Sequence, residues 1–211
     1  MKQLTVQCIK EINYNQSISI ASTQLDKLEK HILGFTPWPN YPYKPQVQFA
    51  IAHSNKCIFL KYFVDEKFIM AAVGNTNGAV WEDACVEFFV SFDEKEYYNL
   101  EFNCIGTCRV GFGKEKKQRE LIAREAISKI KYGVFINNQH PDNIHWELTV
   151  AIPPEVFTHH NIHSFEGEKY KANFYKCGDG LQDPHFVSWS DIKSPQPDFH
   201  LPQFFGDLIF E

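Results

Sequence analysis

Apolar residues recur at every second position along much of this chain. The runs "VQFAIAH" (Val47 to His53), "CIFLKYFV" (Cys57 to Val64), "FIMAAVG" (Phe68 to Gly74), "CVEFFVSF" (Cys85 to Phe92) and "YYNLEFNC" (Tyr97 to Cys104) share this pattern. So do "KYGVFI" (131–136), "IHWELTVAI" (144–152), "KYKANFYKC" (169–177) and "DLIFE" (207–211). All are short, rich in β-branched and aromatic residues, and separated by Gly, Asn, Asp and Pro, which predicts strands joined by turns. A parallel sheet would need a crossover helix after each strand, and those periods are missing. The expectation is an all-β, antiparallel β-sandwich of jelly-roll or immunoglobulin-like kind, with one or two short surface helices.

Two segments carry helical spacing. "STQLDKLEKHIL" (22–33) offers Ser22 or Thr23 as N-cap and aligns Leu25, Leu28 and Ile32 on one side. "EKKQRELIAREAISKI" (115–130) spaces Glu115–Arg119, Glu120–Arg124 and Glu125–Lys129 as i,i+4 pairs, predicting a solvated helix over a sheet edge. "FTPWPNYPYKP" (35–45) is too proline-rich for a central strand and predicts an ordered extended loop. With no repeat and no low-complexity linker, residues 1–211 read as a single domain.

Successive strand residues point to opposite faces. Val86, Phe88 and Val90 therefore share a row opposed to Cys85, Glu87 and Phe89, with Trp81 and Asp83 leading into the latter. Leu100 and Phe102 oppose Asn99, Glu101 and Asn103. Trp146, Leu148 and Val150 oppose His145, Glu147 and Thr149, and Ala172 and Phe174 oppose Asn173 and Tyr175. If these strands neighbour one another, Glu87, Asn99, Glu101, Asn103, Glu147 and Asn173 join into one polar face. Any antiparallel sheet with one wet side shows such a row. This one is unusual in favouring carboxylates and amides over Lys and Thr, and in having aromatic residues beside it.

Charge narrows the partners. Lys and Arg number 21 against 26 Asp and Glu, a formal net charge of −5 with no basic stripe. Nucleic acid and membrane surfaces are thus poor partner candidates. No run approaches the roughly 18 apolar residues of a membrane span. "MKQLTVQCIKEINYN" lacks the features of a signal peptide. As written, the chain reads as soluble and cytoplasmic, or extracytoplasmic if a leader was removed. Six scattered cysteines suggest buried thiols rather than a disulfide framework.

The segments "WEDACVEFFVS", "YYNLEFNCIGT", "HWELTVAIP", "KANFYKCGDGLQDPHFVSWS" and "PDFHLPQFFGDLIFE", in this order, resemble the family-9-like carbohydrate-binding proteins. These are relatives of the family 9 modules attached to xylanases, within the DOMON-like β-sandwiches. The resemblance runs from the Pro-rich connector to the C-terminus. It implies two tryptophans enclosing a terminal sugar, matched here by Trp81 and Trp189, and an acidic hydroxyl partner matched by Glu87. An arginine of the modules aligns with Asn99, and an asparagine with Glu101. The resemblance also implies structural calcium, with no ligands assigned residue by residue. Such residue types suit a pyranose, because indoles cover its C–H faces while carboxylates and amides meet its hydroxyls. The implied function is non-catalytic saccharide binding, with Asn99, Glu101, Asn103, Glu147 and Asn173 supporting Glu87.

Two alternatives remain beside it. The domain could be a structural or interaction sandwich that has lost the sugar, as the missing arginine suggests. Glu87, Glu101 or Glu147 could instead pair for glycoside hydrolysis, which needs carboxylates roughly 5–10 Å apart. Metal readings are weaker. His159 and His163 are four apart without the HExxH pattern, Cys104 and Cys108 lack a second cysteine pair, and His185, His200, Asp183 and Asp198 lie in loops. Trp38 and Trp146 are assigned to packing.

Overall fold

The computed structural model describes residues 2–54, 56–140 and 143–211. Among the described residues, thirteen strands and two α-helices, with three short 3-10 turns between them, follow in chain order. They are β1 (Gln3–Cys8), α1 (Ile18–Leu25), β2 (His31–Ile32), β3 (Gln46–His53), β4 (Ile58–Glu66), β5 (Cys85–Ser91), β6 (Tyr97–Asn103) and β7 (Cys108–Gly113). Then come β8 (Glu120–Leu121), α2 (Arg124–Ile127), β9 (Lys131–His140), β10 (Asn143–Ile152), β11 (Lys169–Cys177), β12 (Phe186–Ser188) and β13 (Gly206–Phe210).

The strands form one curled sheet in the order β8-β7-β6-β5-β11-β13-β1-β3-β4-β10-β9, with β12 against β11 and β2 against β3. All-β is the class, but the sheet is mixed rather than antiparallel throughout. Strand β1 runs parallel to β13 through Gln3–Val6 and parallel to β3 through Gln7 and Cys8. It thereby passes from one half of the sheet to the other, and the halves fold face to face. Short, with only Leu4 and Val6 turned into the core, β1 carries too little alternation to stand out in the sequence.

The apolar rows meet between the halves. Phe88 and Phe174 stack on one side, and Phe174 stacks across the interface on Phe49 with ring centroids 3.8 Å apart. Tyr62 donates across the same core to the Glu87 carbonyl at 2.6 Å. Each large apolar side chain so buried contributes about 1.5–3 kcal/mol. One charged group also crosses. Lys176, on the core row of β11, reaches Glu66 of β4 at 2.9 Å, and Glu66 accepts from the Trp146 indole at 2.6 Å. Trp38 and Trp146 are both buried, as packing requires.

Three local expectations change. The first helix is Ile18–Leu25 capped by Ser17, so Leu28 lies beyond it and Ile32 pairs with β3 instead. Of the segment 115–130, only Arg124–Ile127 is helical, and Glu120–Leu121 joins the edge of β7. "FIMAAVG" is a loop, because Ala72 and Val73 donate their N–H groups to the Asp83 carboxylate at 2.9 and 3.0 Å rather than to a strand. Five cysteines are buried and Cys8 is partly exposed; no disulfide forms among the described residues.

Candidate functional site

The second face of β5 is not a wet face. Every residue of β5 and β6 is buried on both sides, since long connections fold over the outer row. Register turns that row into a grid. Cys85, Glu87 and Phe89 lie opposite Asn103, Glu101 and Asn99 of β6, and opposite Cys177, Tyr175 and Asn173 of β11. Arg109 of β7 faces Glu101. Phe89, odd in a polar row, is covered by an aromatic lid of Tyr97, Tyr175, His200 and Phe205.

Beside that lid the grid stays open as a cavity of about 470 Å³. Its floor is Glu87, Asn99, Glu101 and Cys177, and its aromatic walls are Trp81, Phe186 and Phe199. The Arg109 guanidinium sits 5.0 Å over the Trp81 ring and donates to the Asn77 carbonyl at 2.8 Å. Arg119, expected on a solvated helix, instead reaches inward. Its Nε donates to Asn99 Oδ1 at 2.6 Å, its Nη2 to the Tyr97 carbonyl at 2.6 Å, and its plane lies 4.2 Å from the Tyr97 ring centroid. Gly111 permits this approach, because a Cβ there would fall 2.7 Å from Asn99 Oδ1 and 3.3 Å from Arg119 Nε. With its oxygen held by Arg119, Asn99 turns its amide NH2 to Glu101 Oε1 at 2.6 Å. The other oxygen, Glu101 Oε2, is buried without a protein hydrogen-bond partner.

Burial dominates the electrostatics. Desolvation, and then the charge of Glu101, holds the Glu87 carboxyl well above the usual carboxylate range, against the Cys177 thiol that donates to its Oε1 at 3.0 Å. Glu101 is pushed up to about 7 by burial, opposed by the Asn99 hydrogen bond and the charges of Arg109 and Arg119. Asp179 rises to about 6 by burial. His200 falls to about 3 through burial and the nearby Arg119, so it is a neutral imidazole near neutral pH. The cavity therefore offers cationic donors, a protonated carboxyl and a bare acceptor beside aromatic rings.

Of the sequence-predicted residues, the structure brings Trp81, Glu87, Asn99 and Glu101 together at this cavity. Four others lie elsewhere. Asn103 is at the end of the same grid, bonded to Asp83 and the Val73 carbonyl and accepting from the Thr107 N–H, where it pins the turn after β6. Asn173 grips Ser190 through both its N–H and its carbonyl. Glu147 belongs to the opposite half of the sheet, where Lys61 pairs with it at 2.7 Å and with Asp26 beside α1. Trp189 is buried edge-on against Phe49 and Phe174 and is not among the residues lining the Trp81 cavity.

Phe186, Phe199 and the two arginines are among the cavity residues that the sequence pattern did not single out, as are Lys116, Cys177 and Asp179. Arg109 was legible, because "CRVGFG" alternates and a short turn brings it opposite Glu101. Arg119 was hidden by helix-like charge spacing. The loop histidines take structural partners: His159 stacks on Phe112 at 4.2 Å, and His185 bonds Lys176 and the Asp183 carbonyl. Cys104 and Cys108 pack in the core. Among the described residues, the sole convergence of three His, Cys, Asp or Glu ligand atoms is Cys85, Glu87 and Cys177. Thiols are poor partners for a hard ion, so this set does not fit the implied calcium.

Comparison with known proteins agrees with this architecture. A crystal structure of a candidate carbohydrate-binding protein from Bacteroides uniformis ATCC 8492 superposes with a TM-score of 0.92 at 39% identity, covering 100% of this chain and 99% of that one. Two structures of a family 9 carbohydrate-binding module from Caldicellulosiruptor kristjanssonii share the fold. The complex with glucose has a TM-score of 0.62 at 12% identity, and the complex with cellotriose 0.65 at 11%. They cover 100% of this chain and 96% and 94% of theirs. No curated protein matches the sequence. The profile of carbohydrate-binding family 9 spans residues 19–210, nearly the whole chain, and the protein belongs to that family.

Proposed function

We propose that the chain binds a saccharide without cleaving it, as a single DOMON-like sandwich domain whose ligand enters the cavity between Trp81 and the Phe186–Phe199 wall. The observation that carries this reading is Glu101, a residue lining that cavity whose Oε2 is buried with no protein hydrogen-bond partner. Leaving a buried acceptor unsatisfied costs about 1–3 kcal/mol, which a ligand hydroxyl would recover. Trp81, Phe186 and Phe199 supply apolar surface for pyranose C–H groups. Arg109, Lys116 and Arg119 face Glu101, Asp179 and Asp198 across the space, and this near-balance of charge favours a neutral sugar. Glucose and cellotriose, the ligands of the family 9 structures, are the first compounds to try. No helix among the described residues is long and apolar enough to cross a membrane.

Calorimetric titration with glucose, cello-oligosaccharides and xylo-oligosaccharides tests the proposal. One of these should bind, and Trp81→Ala should weaken binding at least tenfold with an unchanged melting temperature. Absence of binding across the panel would overturn the saccharide assignment. Product release from glycosides that is lost in Glu87→Gln would overturn the non-catalytic one.

A further inference from the structure

The floor of the cavity holds a second constellation that saccharide binding does not require. Cys85 and Cys177 are directly opposite each other on the paired strands β5 and β11. Glu87 follows Cys85 by two residues and so shares its face. Both sulfurs and a Glu87 carboxylate oxygen lie within 4.8 Å of one another, and all three residues are buried. Cys177 Sγ and Glu87 Oε1 are 3.0 Å apart. A tetrahedral zinc ion, with bonds of about 2.3 Å to sulfur and about 2.1 Å to oxygen, asks for ligand atoms roughly 3.5–3.8 Å from one another. Rotamer adjustments of about an ångström would meet that demand from strands that are already locked in register.

We propose that Cys85, Cys177 and Glu87 form a site for a thiophilic divalent cation, zinc foremost, with the fourth coordination position open to the cavity. Two sulfurs and one carboxylate select zinc or cadmium over calcium or magnesium. Glu87 and Cys177 line the cavity while Cys85 lies behind them, so the ion would enter from the cavity side. Asp179, on the same wall and interacting with Cys177, is placed to complete the set, as is a solvent or ligand oxygen. The charge balance is simple. Two thiols and one carboxyl release their protons to solvent, and the resulting three negative charges take up the dication. Lys116, on an exposed segment, also lines the cavity. The site shares Glu87 and the cavity with the proposed saccharide site, but it rests on the Cys85–Cys177–Glu87 geometry alone.

The test uses the whole chain, reduced and stripped of metal, titrated with cadmium and with zinc. One equivalent of cadmium should produce the ultraviolet thiolate-to-metal charge-transfer band, and zinc should raise the melting temperature and displace cadmium. Cys85→Ser and Cys177→Ser should each lose the band or weaken binding at least tenfold, whereas Cys104→Ser should keep it and calcium should give no response. If a serine variant fails to fold, alkylation of the wild type read by mass spectrometry replaces it: zinc should slow modification of Cys177 but not of Cys8. Absence of a band, a band that survives loss of both Cys85 and Cys177, or a Cys85–Cys177 disulfide whose reduction restores no metal uptake would overturn the proposal. Saccharide titrations of metal-free protein distinguish this failure from failure of sugar binding.

Discussion

Replacing Arg119 with Met tests the relay that leaves Glu101 Oε2 bare. The substitution keeps a long unbranched stem and removes the guanidinium. Two short charge-assisted bonds disappear, to Asn99 Oδ1 and the Tyr97 carbonyl, both at 2.6 Å. Three longer contacts, to the carbonyls of Gly113, Glu115 and Gly111 at 3.2–3.3 Å, add little. Bonds to charged groups contribute about 1.5–3 kcal/mol each. Stacking of the cation on Tyr97 adds about 1 kcal/mol. Some packing survives in Met, and neighbouring effects do not add fully, so the expected loss is about 3–5 kcal/mol. For a domain of this size each kcal/mol moves the melting temperature by about 2–4 °C, which predicts a fall of roughly 6–20 °C. Arg119→Lys should fall in between, because a point charge cannot hold an amide oxygen and a carbonyl in one fixed fork. Urea unfolding and calorimetry read the stability, and sugar titration reads the site. Freed from Arg119, Asn99 can rotate away from Glu101 Oε1, so affinity should drop in both variants. A loss below about 1 kcal/mol in Arg119→Met, or unchanged sugar affinity, would refute the relay.

Two further outcomes follow from groups outside the cavity. Trp189→Ala should destabilise the domain by about 3–5 kcal/mol through a core cavity against Phe49 and Phe174, yet leave sugar affinity within twofold at a temperature where it stays folded. Thermal melts with parallel titrations check this, and selective loss of binding would return Trp189 to the site. His185 is depressed to about 3 by burial and by Lys176, so its stabilisation is full above about 6.5 and is lost as pH falls toward 3. Relative to His185→Gln, the wild type should lose about 2 kcal/mol between pH 7 and pH 5 in urea melts, and a pH-independent difference would contradict a neutral buried imidazole.

Alternation along the chain determined most of the strands and, within each, which side chains share a face. That sufficed to group Glu87 with Cys85 and Phe89, and Asn99 with Glu101, because the two-residue period of a strand is a local property. It could not say which strands are neighbours, since hydrogen bonding between strands is indifferent to sequence separation. Glu147 was thus grouped with Glu87 although β10 lies in the opposite half of the sheet, and the parallel seating of β1 went unseen. Nor could a local period reveal that loops bury the polar row. Only the fold over of segments 116–119 and 197–200 made it a cavity, and only there did Arg119 trade solvent for Asn99. Charge spacing at 115–130 is favourable in a helix by tenths of a kcal/mol per pair, about 0.2–0.5, and buried charge-assisted bonds outweigh it. The stretch "VWEDACVEFFV" therefore already contained the face that Glu87 occupies. Tertiary structure decided that this face is buried, that Phe89 beside it serves an aromatic lid, and that the Glu87 carboxyl meets Glu101 on one side and the Cys177 thiol on the other.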